Sequence, residues 1–249
     1  MGSTRALRYD LSLYLVTDTV LCGQCGVVAT VEAAVAAGVT AVQLRDPAAS
    51  DDELVRLGRA VAAGLRGTGR PLIVNDRVHL VAPIGADGAH VGQGDLDPRA
   101  ARRQLGAEAV LGLSVQTLDQ VVAAEDYGAD TIDYLGVGPV WPQTTKPDAA
   151  EPGGLDRLGA IVAASRWPVV AIGGITAARA TQVRRRGAAG IAVVSAICGQ
   201  PSVAAATRLL RQSWHERPCW HERPCWHERP SGQDQTNAME ADQRMEADP

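Results

Sequence analysis

The first 210 residues alternate between short apolar runs and longer segments of helical period, and this alternation limits the folds open to the chain. Each run has the length and β-branched content of a buried strand, whereas apolar residues between the runs recur every three or four positions. Ser50 and Glu53 have the spacing of a capping box, and Asp97 with Pro98 has the sequence of a helix start. The predicted strands are 13–16, 39–44, 72–74, 88–91, 110–113, 131–137, 169–172 and 190–194, and the predicted helices are 31–37, 52–65, 76–83, 98–105, 118–127, 155–164, 177–186 and 202–210.

Eight strand–helix units in one stretch predict an α/β fold of the (β/α)8 TIM-barrel type over residues 1–212. Parallel strands need crossover helices, and a closed barrel leaves no exposed strand edge. A doubly wound open sheet is the alternative. In a barrel, the polar residues that follow each strand gather at one mouth. Those residues are Asp18, 43–45, 75–76, 93–95, Ser114, 138–146, 173–174 and Ser195.

The composition changes after residue 212, where a low-complexity tail of WHERPC and MEAD repeats fills 213–249. Proline in every six-residue unit prevents a continuous helix, and the few apolar residues cannot form a core, so we predict disorder. Regularly spaced His and Cys make a metal-binding tail the alternative. The candidate ligands are His215, Cys219, His221, Cys225 and His227.

The charges exclude partners that need a strongly basic surface. The chain has 24 basic and 28 acidic residues, and the four-charge excess lies in the tail, so the predicted barrel is neutral. Neither nucleic-acid binding nor a polybasic membrane contact is therefore expected. Without a recognisable export signal, we expect a cytoplasmic protein with reduced thiols. Cys22 and Cys25 form one CxxC pair, a weak sign of metal or redox chemistry, and Cys198 fits a core position.

The predicted mouth combines acids with cations. Asp76 and Asp95 follow neighbouring strands together with Asn75, and Arg45 and Lys146, the only lysine of the chain, come from either side. Two carboxylates beside two cations suit a diphosphate bound with Mg²⁺, which takes one or two carboxylates and completes its shell with phosphate oxygens and water. A helix N-cap is the alternative role for each acid.

A second anion site is predicted after the last two strands, where Gly173-Gly174 and Ser195 resemble the phosphate loops of many barrels. Two phosphate sites in one mouth indicate a reaction that joins two phosphorylated small molecules. No Ser-His-Asp or Cys-His arrangement is evident, because His79 falls in a predicted helix and His90 in a predicted strand. We expect His90 to pack or hydrogen-bond inside the barrel.

Eight stretches of the chain occur in the order found in a known family. They are LYLVTD (13–18), AVQLRD (41–46), LIVNDRVHLV (72–81), GADGAHVGQGD (85–95), LGLSVQT (111–117), YLGVGPVWPQTTKPD (134–148), AIGGI (171–175) and GIAVVSAI (190–197). They span nearly all of residues 13–210, and their combination is specific, although IGGI alone is not. By these stretches the chain resembles thiamine-phosphate synthases.

The resemblance implies an Mg²⁺-dependent transferase that joins 4-amino-2-methyl-5-hydroxymethylpyrimidine diphosphate to 4-methyl-5-(β-hydroxyethyl)thiazole phosphate and releases diphosphate. It assigns Gln43, Arg45, Asn75 and Lys146 to the pyrimidine diphosphate, and Ser114 to its leaving phosphate or aminopyrimidine. It assigns Asp76 and Asp95 to Mg²⁺, and Thr145, Gly174, Val194 and Ser195 to the thiazole phosphate.

The chain departs from the family pattern at three positions. Pro47 stands where the family usually has a lysine, Gly94 where it has an acid, and Gln143 where it has a threonine of the P-T-x-T-K loop. These changes affect the expected affinity more than the reaction type.

Two alternatives to the synthase remain at this point. A thiazole tautomerase of the same superfamily is expected to carry a His where this chain has Gln116, so the retained Asp76, Asp95 and Lys146 favour the synthase. The second alternative is a non-catalytic barrel whose tail binds metal.

Overall fold

Eight parallel strands close into a barrel in the computed structural model, which describes residues 9–145 and 150–216. Each strand pairs with the next along the chain, and β8 pairs with β1, so that Tyr14 lies between Ala41 and Ala192. The closed order confirms the predicted barrel and excludes the open sheet. The strands are β1 (Leu13–Val16), β2 (Ala41–Leu44), β3 (Leu72–Asn75), β4 (Gly88–Val91), β5 (Val110–Val115), β6 (Tyr134–Val137), β7 (Val169–Ile172) and β8 (Gly190–Val193).

Helices connect the strands around the outside of the barrel. Two of them begin at the capping residues from which their starts were predicted. The Ser50 side chain accepts from the Glu53 N–H while the Glu53 carboxylate accepts from the Ser50 N–H, so the capping box is confirmed. Asp97 caps the helix that begins at Pro98. The helices are α1 (Thr19–Cys22), α2 (Gly26–Ala37), α3 (Asp51–Leu65), α4 (Val81–Ile84), α5 (Pro98–Leu105), α6 (Leu118–Glu125), α7 (Gly154–Ala164), α8 (Ala177–Arg185) and α9 (Val203–His215).

The predicted helix over 76–83 was wrong in length. A 3-10 turn at Val78–Leu80 precedes the four-residue α4. Asp76 has φ of 58°, which is left-handed backbone outside any helix, and Pro83 supplies no N–H for an intrahelical bond. The predicted strand over 131–137 begins only at Tyr134, because a turn occupies the residues before it.

The last helix extends past the predicted end of the barrel domain. α9 continues to His215, so 213–215 belong to the barrel and not to the repeat tail. Trp214 is only 5% exposed. Burying such a side chain contributes about 1.5–3 kcal/mol, which holds the end of the helix on the barrel. The remainder of the tail, and with it four of its five candidate metal ligands, lies outside the described residues.

Two separate apolar layers form the core. One layer lies between the strands and the helices, where Leu15, Val42 and Val74 are fully buried. The other fills the barrel interior and contains Tyr14 and Tyr134, which bring hydroxyl groups in among aliphatic side chains such as Ile73 and Val170. Buried hydroxyls need hydrogen-bond partners, so the interior must contain further polar groups.

The segment Thr19–Ala37 is long and apolar enough to cross a membrane by length and composition alone, with a mean hydropathy of 1.7. In the structure it is interrupted by a 3-10 turn between Gly23 and Cys25, and α2 packs beside α3 and α9. Val31 and Ala34 on its inner face are buried. These contacts make the segment the first outer helix of the barrel.

Candidate active site

A cleft of about 1350 Å³ opens where the strands end. Residues that follow all eight strands line it, as in the active sites of (β/α)8 barrels. The structure therefore brings together ten of the eleven predicted site residues, whereas Lys146 lies outside the described residues. The ten are Gln43, Arg45, Asn75, Asp76, Asp95, Ser114, Thr145, Gly174, Val194 and Ser195.

Arg45 lines one side of the cleft. Its backbone is fixed by buried Thr17, whose Oγ1 accepts from the Arg45 N–H at 2.9 Å and donates to the Arg45 carbonyl oxygen at 3.2 Å. No ion pair with a described residue occupies the Arg45 side chain. A half-buried arginine that lines a cleft and has no ion pair with a described residue is well suited to bind an anion.

Asp76 occupies a backbone conformation that few non-glycine residues adopt. With φ at 58°, it costs on the order of 1–3 kcal/mol, and such strain concentrates at functional sites. The Asp76 N–H donates to the His90 carbonyl oxygen at 2.8 Å, which fixes this conformation against β4. Asp76 does not cap a helix, since the following 3-10 turn begins at Val78 with Arg77 before it.

Asp95 is held by its own turn. Its Oδ2 accepts from the Gly92 N–H at 2.7 Å, and a carboxylate has further lone pairs available for a second partner. The described residues contain no group of three or more His, Cys, Asp and Glu side chains able to hold a metal. Any metal at Asp76 and Asp95 would therefore take most of its ligands from substrate and water, which is how Mg²⁺ commonly binds phosphorylated substrates.

The loops after β7 and β8 form the opposite side of the cleft. Gly174 has φ of 64° and lies against the loop that follows β6. Val194 begins the turn after β8, and no acceptor in the described part of the chain takes the N–H groups of Gly174 or Ser195. On the β6 loop, the Thr145 hydroxyl donates to the Gln143 side chain at 2.9 Å. Backbone N–H groups of this kind commonly bind phosphate.

A chain of hydrogen bonds crosses the barrel interior among residues that line the cleft, and sequence reasoning found only part of it. His90 was expected to hydrogen-bond inside the barrel, and this is confirmed, because its two ring nitrogens lie 2.9 Å from Tyr134 Oη and 2.8 Å from Ser114 Oγ. Tyr14 was missed. The signal that could have found the cluster is glycine within two neighbouring strands, at Gly112 and Gly136, which indicates a close approach by other groups.

Arg179 is a second residue that sequence reasoning missed. Its guanidinium lies 4.9 Å from the centre of the Trp141 ring, and its Nη1 donates to the Gly174 carbonyl oxygen at 2.6 Å. Arg179 thus ties the loop after β6 to the loop after β7. It lies on α8, away from any strand end, so the rule that assigns strand-end residues to the mouth does not select it.

Each residue that departs from the family pattern lines the cleft, as does Gln116. The Pro47 carbonyl oxygen accepts from Arg77 Nη2 at 3.5 Å, while Arg77 also pairs with Asp51 at 3.1 Å. A Cβ at Gly94 would meet nothing within 4 Å, so the structure has open space where the family has an acid.

The two cysteines of the CxxC pair lie in different environments. Cys25 is exposed, whereas Cys22 is buried, and the neighbouring Cys198 thiol lowers the pKa of Cys22. Burial of Cys198 confirms its predicted core position. The thiol that interacts with Cys22 is thus Cys198, which leaves the described CxxC without the features of a metal site.

Known proteins resemble this chain over nearly the whole barrel. A family model described as thiamine monophosphate synthase matches residues 13–197. The thiamine-phosphate synthase of Azorhizobium caulinodans is 47% identical over 203 residues, which are 82% of this chain and 94% of that protein. That of a Psychrobacter species is 48% identical over 200 residues, or 80% of this chain and 93% of that protein.

Solved structures agree with these sequence relationships. A thiamine phosphate pyrophosphorylase from Pyrococcus furiosus has a TM-score of 0.73 at 34% identity, covering 82% of this chain and 96% of that one. A 3-hexulose-6-phosphate synthase, at 19% identity and a TM-score of 0.60, shares the barrel fold. The chain therefore belongs to the thiamine monophosphate synthase family and is a transferase.

Proposed function

We propose that the protein joins 4-amino-2-methyl-5-hydroxymethylpyrimidine diphosphate to 4-methyl-5-(β-hydroxyethyl)thiazole phosphate, giving thiamine phosphate and diphosphate. The observation that carries this proposal is the single cleft that brings both predicted anion sites together. Arg45 and the two carboxylates line it with Gly174 and Ser195, so two phosphorylated molecules can bind in one space.

The reaction needs charge stabilisation more than proton transfer. The bond between the pyrimidine methylene and the diphosphate oxygen breaks, and its electron pair leaves with the diphosphate. The electron-rich aminopyrimidine stabilises the resulting carbocation, and the thiazole nitrogen then donates its lone pair to form the new C–N bond. No general base takes part, so the role of the protein is to stabilise the leaving group and align the nitrogen.

The proposed role of each residue follows from that requirement. Arg45 and Lys146 neutralise the diphosphate, with Gln43 and Asn75 fixing its position and that of the pyrimidine, while Ser114 donates a hydrogen bond to the substrate. On the other side, the N–H groups of Gly174 and Ser195, the backbone of Val194 and the hydroxyl of Thr145 hold the thiazole phosphate. Arg45 and Asn75 lie at the ends of β2 and β3, whereas Gly174 and Ser195 follow β7 and β8 across the closed barrel, which supports this division.

Mg²⁺ fits the chemistry of the acidic residues. Asp76 and Asp95 supply two carboxylates to the cleft, and the residues described around them offer no complete cage of protein ligands. This donor set suits a hydrated cation that takes its remaining oxygens from a diphosphate. When bound there, Mg²⁺ would act as a Lewis acid that stabilises charge on the leaving group.

The expected partners are small molecules alone, with the protein in the cytoplasm. A barrel without net charge supports this, because it has no overall electrostatic attraction to nucleic acid or to an anionic membrane surface.

A tautomerase is the alternative that an assay must exclude. Thiazole tautomerisation moves a proton and releases no diphosphate, so incubating the protein with each substrate alone and with both, in Mg²⁺, separates the two reactions. We expect diphosphate and thiamine phosphate only with both substrates. Isomerisation of a thiazole phosphate tautomer without diphosphate release would overturn the proposal.

A further inference from the structure

Five polar side chains form one continuous hydrogen-bonded chain through the barrel interior, which we term the polar chain. Gln43 Nε2 lies 3.3 Å from Tyr14 Oη, and the two tyrosine oxygens lie 3.1 Å apart. Tyr134 Oη is 2.9 Å from His90 Nδ1, and His90 Nε2 is 2.8 Å from Ser114 Oγ. The polar chain thus links residues of five strands, and all five residues line the cleft.

The number of protons available decides which group donates in each hydrogen bond of the polar chain. An amide nitrogen only donates, so the Tyr14 oxygen accepts from Gln43, and the arrangement that leaves no tyrosine proton unpaired has Tyr14 donating to Tyr134. Tyr134 then has its own proton for His90 Nδ1, and a neutral imidazole that accepts at Nδ1 carries its proton on Nε2. His90 therefore donates to Ser114 Oγ, which leaves the Ser114 proton for an acceptor in the cleft.

The tyrosines cannot easily release those protons. Burial raises the pKa of both Tyr14 and Tyr134 far above the usual value, so both hydroxyls stay protonated over the range in which enzymes work. A buried hydroxyl without a hydrogen-bond partner costs about 1–3 kcal/mol of stability. This cost disfavours any arrangement of protons that leaves a hydroxyl of the polar chain unpaired.

The neighbouring strands leave space for this arrangement. A Cβ at Gly112 would lie 2.2 Å from Tyr134 Cζ and 2.3 Å from His90 Nδ1, and one at Gly136 would lie 2.8 Å from His90 Cε1. Any larger residue at these positions would displace the imidazole or the phenol. Both rings are almost fully buried, with His90 at 8% and Tyr134 at 0% exposure.

We propose that His90 is a positioning residue: held in its Nε2–H tautomer by Tyr14 and Tyr134, it keeps the Ser114 hydroxyl directed as a hydrogen-bond donor to the diphosphate of the substrate. This inference rests on the proposed function, which supplies the anionic acceptor. It assigns roles in turnover to three residues of the barrel interior and explains why they are polar.

Histidine nitrogen spectroscopy tests the tautomer without any substrate. The full chain is labelled with ¹⁵N-histidine, and the resonances that are absent from the spectrum of the His90→Gln variant are assigned to His90. We expect these resonances to show the imidazole proton on Nε2. Tyr134→Phe removes the donor to Nδ1 and should abolish that fixed state. A proton on Nδ1 in the unmodified protein would overturn the proposal, whether or not the protein makes thiamine phosphate.

A double-mutant cycle tests the effect on turnover. Tyr134→Phe should lower kcat about tenfold, the effect of one hydrogen bond, but less than about twofold when Ser114 is already alanine. Equal factors in both backgrounds would mean that Tyr134 does not act through Ser114, and the proposal would fail. If the unmodified enzyme made no thiamine phosphate, the proposed function would fail, whereas the tautomer measurement would still decide on the polar chain.

Two variants at His90 form a matched pair. The Gln side chain reaches far enough to place an N–H near the position of Nε2, whereas Asn reaches only to Nδ1. We expect His90→Gln to keep several-fold more kcat than His90→Asn, with thermal midpoints measured for both to separate folding from positioning. If two equally stable variants lost equal activity, the donor at Nε2 would have no role.

Discussion

A Cβ at Gly174 would lie 2.6 Å from the Pro142 carbonyl oxygen, because the loop after β6 rests directly on the loop after β7. The Gly174 backbone is also left-handed, with φ of 64°. Both features require glycine, and the loops after β6 and β7 line the predicted thiazole phosphate site.

Replacing Gly174 by alanine should therefore weaken binding of the thiazole phosphate. Overpacking and strain of this kind cost about 1–3 kcal/mol, so we expect KM for that substrate to rise about tenfold while KM for the pyrimidine diphosphate stays within about twofold. Gly94→Ala is the matched control, since Gly94 lines the same cleft with open space around it. Unchanged KM in Gly174→Ala would contradict the assignment.

Asp76→Asn and Asp95→Asn should each raise the Mg²⁺ concentration needed for activity and lower kcat about a hundredfold, because several kcal/mol of charge stabilisation depend on the metal. Initial rates over a Mg²⁺ titration provide the measurement. Asp97→Asn is the control, as Asp97 caps α5 outside the cleft and Asn caps helices equally well. Variants with unaltered magnesium dependence would remove both acids from the metal site.

Lys146→Arg should reduce turnover by about tenfold or more, because a planar guanidinium does not replace the compact charge of an ammonium. Steady-state kinetics of the variant, compared with Arg103→Lys on the exposed face of α5, give the measurement. Near-native turnover of Lys146→Arg would count against a direct contact with the diphosphate.

Stability should fall at alkaline pH. The pKa of Tyr14 and Tyr134 is raised in the folded protein, chiefly by burial, so the unfolded state releases their protons first. Their contribution is complete below about pH 10 and is lost above it, by about 1.4 kcal/mol per pH unit for each tyrosine. Urea unfolding at several pH values should show this slope, and a shallower one in Tyr14→Phe. Equal slopes would contradict the raised pKa of Tyr14.

Truncation after Glu216 should leave turnover and thermal midpoint unchanged, whereas truncation after Gln212 should lower the midpoint. The shorter chain loses buried Trp214 and the Ser213 carbonyl that accepts from Thr181 at 2.8 Å. Trp214→Ala alone should cost about 3–5 kcal/mol in unfolding free energy. If the chain ending at Gln212 were as stable as the full chain, the packing of α9 would contribute nothing.

The strands and most of the cleft could be predicted because both depend on local sequence. Short buried apolar runs mark strands such as β1 and β7 at their observed bounds, and the strand-end rule selects Arg45 and Asp95 without any three-dimensional information. In each case the signal lies within a few residues of the feature.

Features that depend on contacts between distant residues could not be predicted. Cys22 and Cys198 are adjacent only because β1 and β8 are neighbours in the closed barrel, and Arg179 reaches Trp141 only across two loops. The late start of the helix after β3 depends on Asp76, whose left-handed backbone is held by β4. Local propensity contains none of this information.

The most direct test of the central claim is a ³¹P NMR time course of the protein with the pyrimidine diphosphate, the thiazole phosphate and Mg²⁺. We predict that diphosphate and thiamine phosphate accumulate in equal amounts, and that adding a chelator stops both. Unequal amounts, or loss of a thiazole phosphate tautomer with no diphosphate formed, would contradict the account.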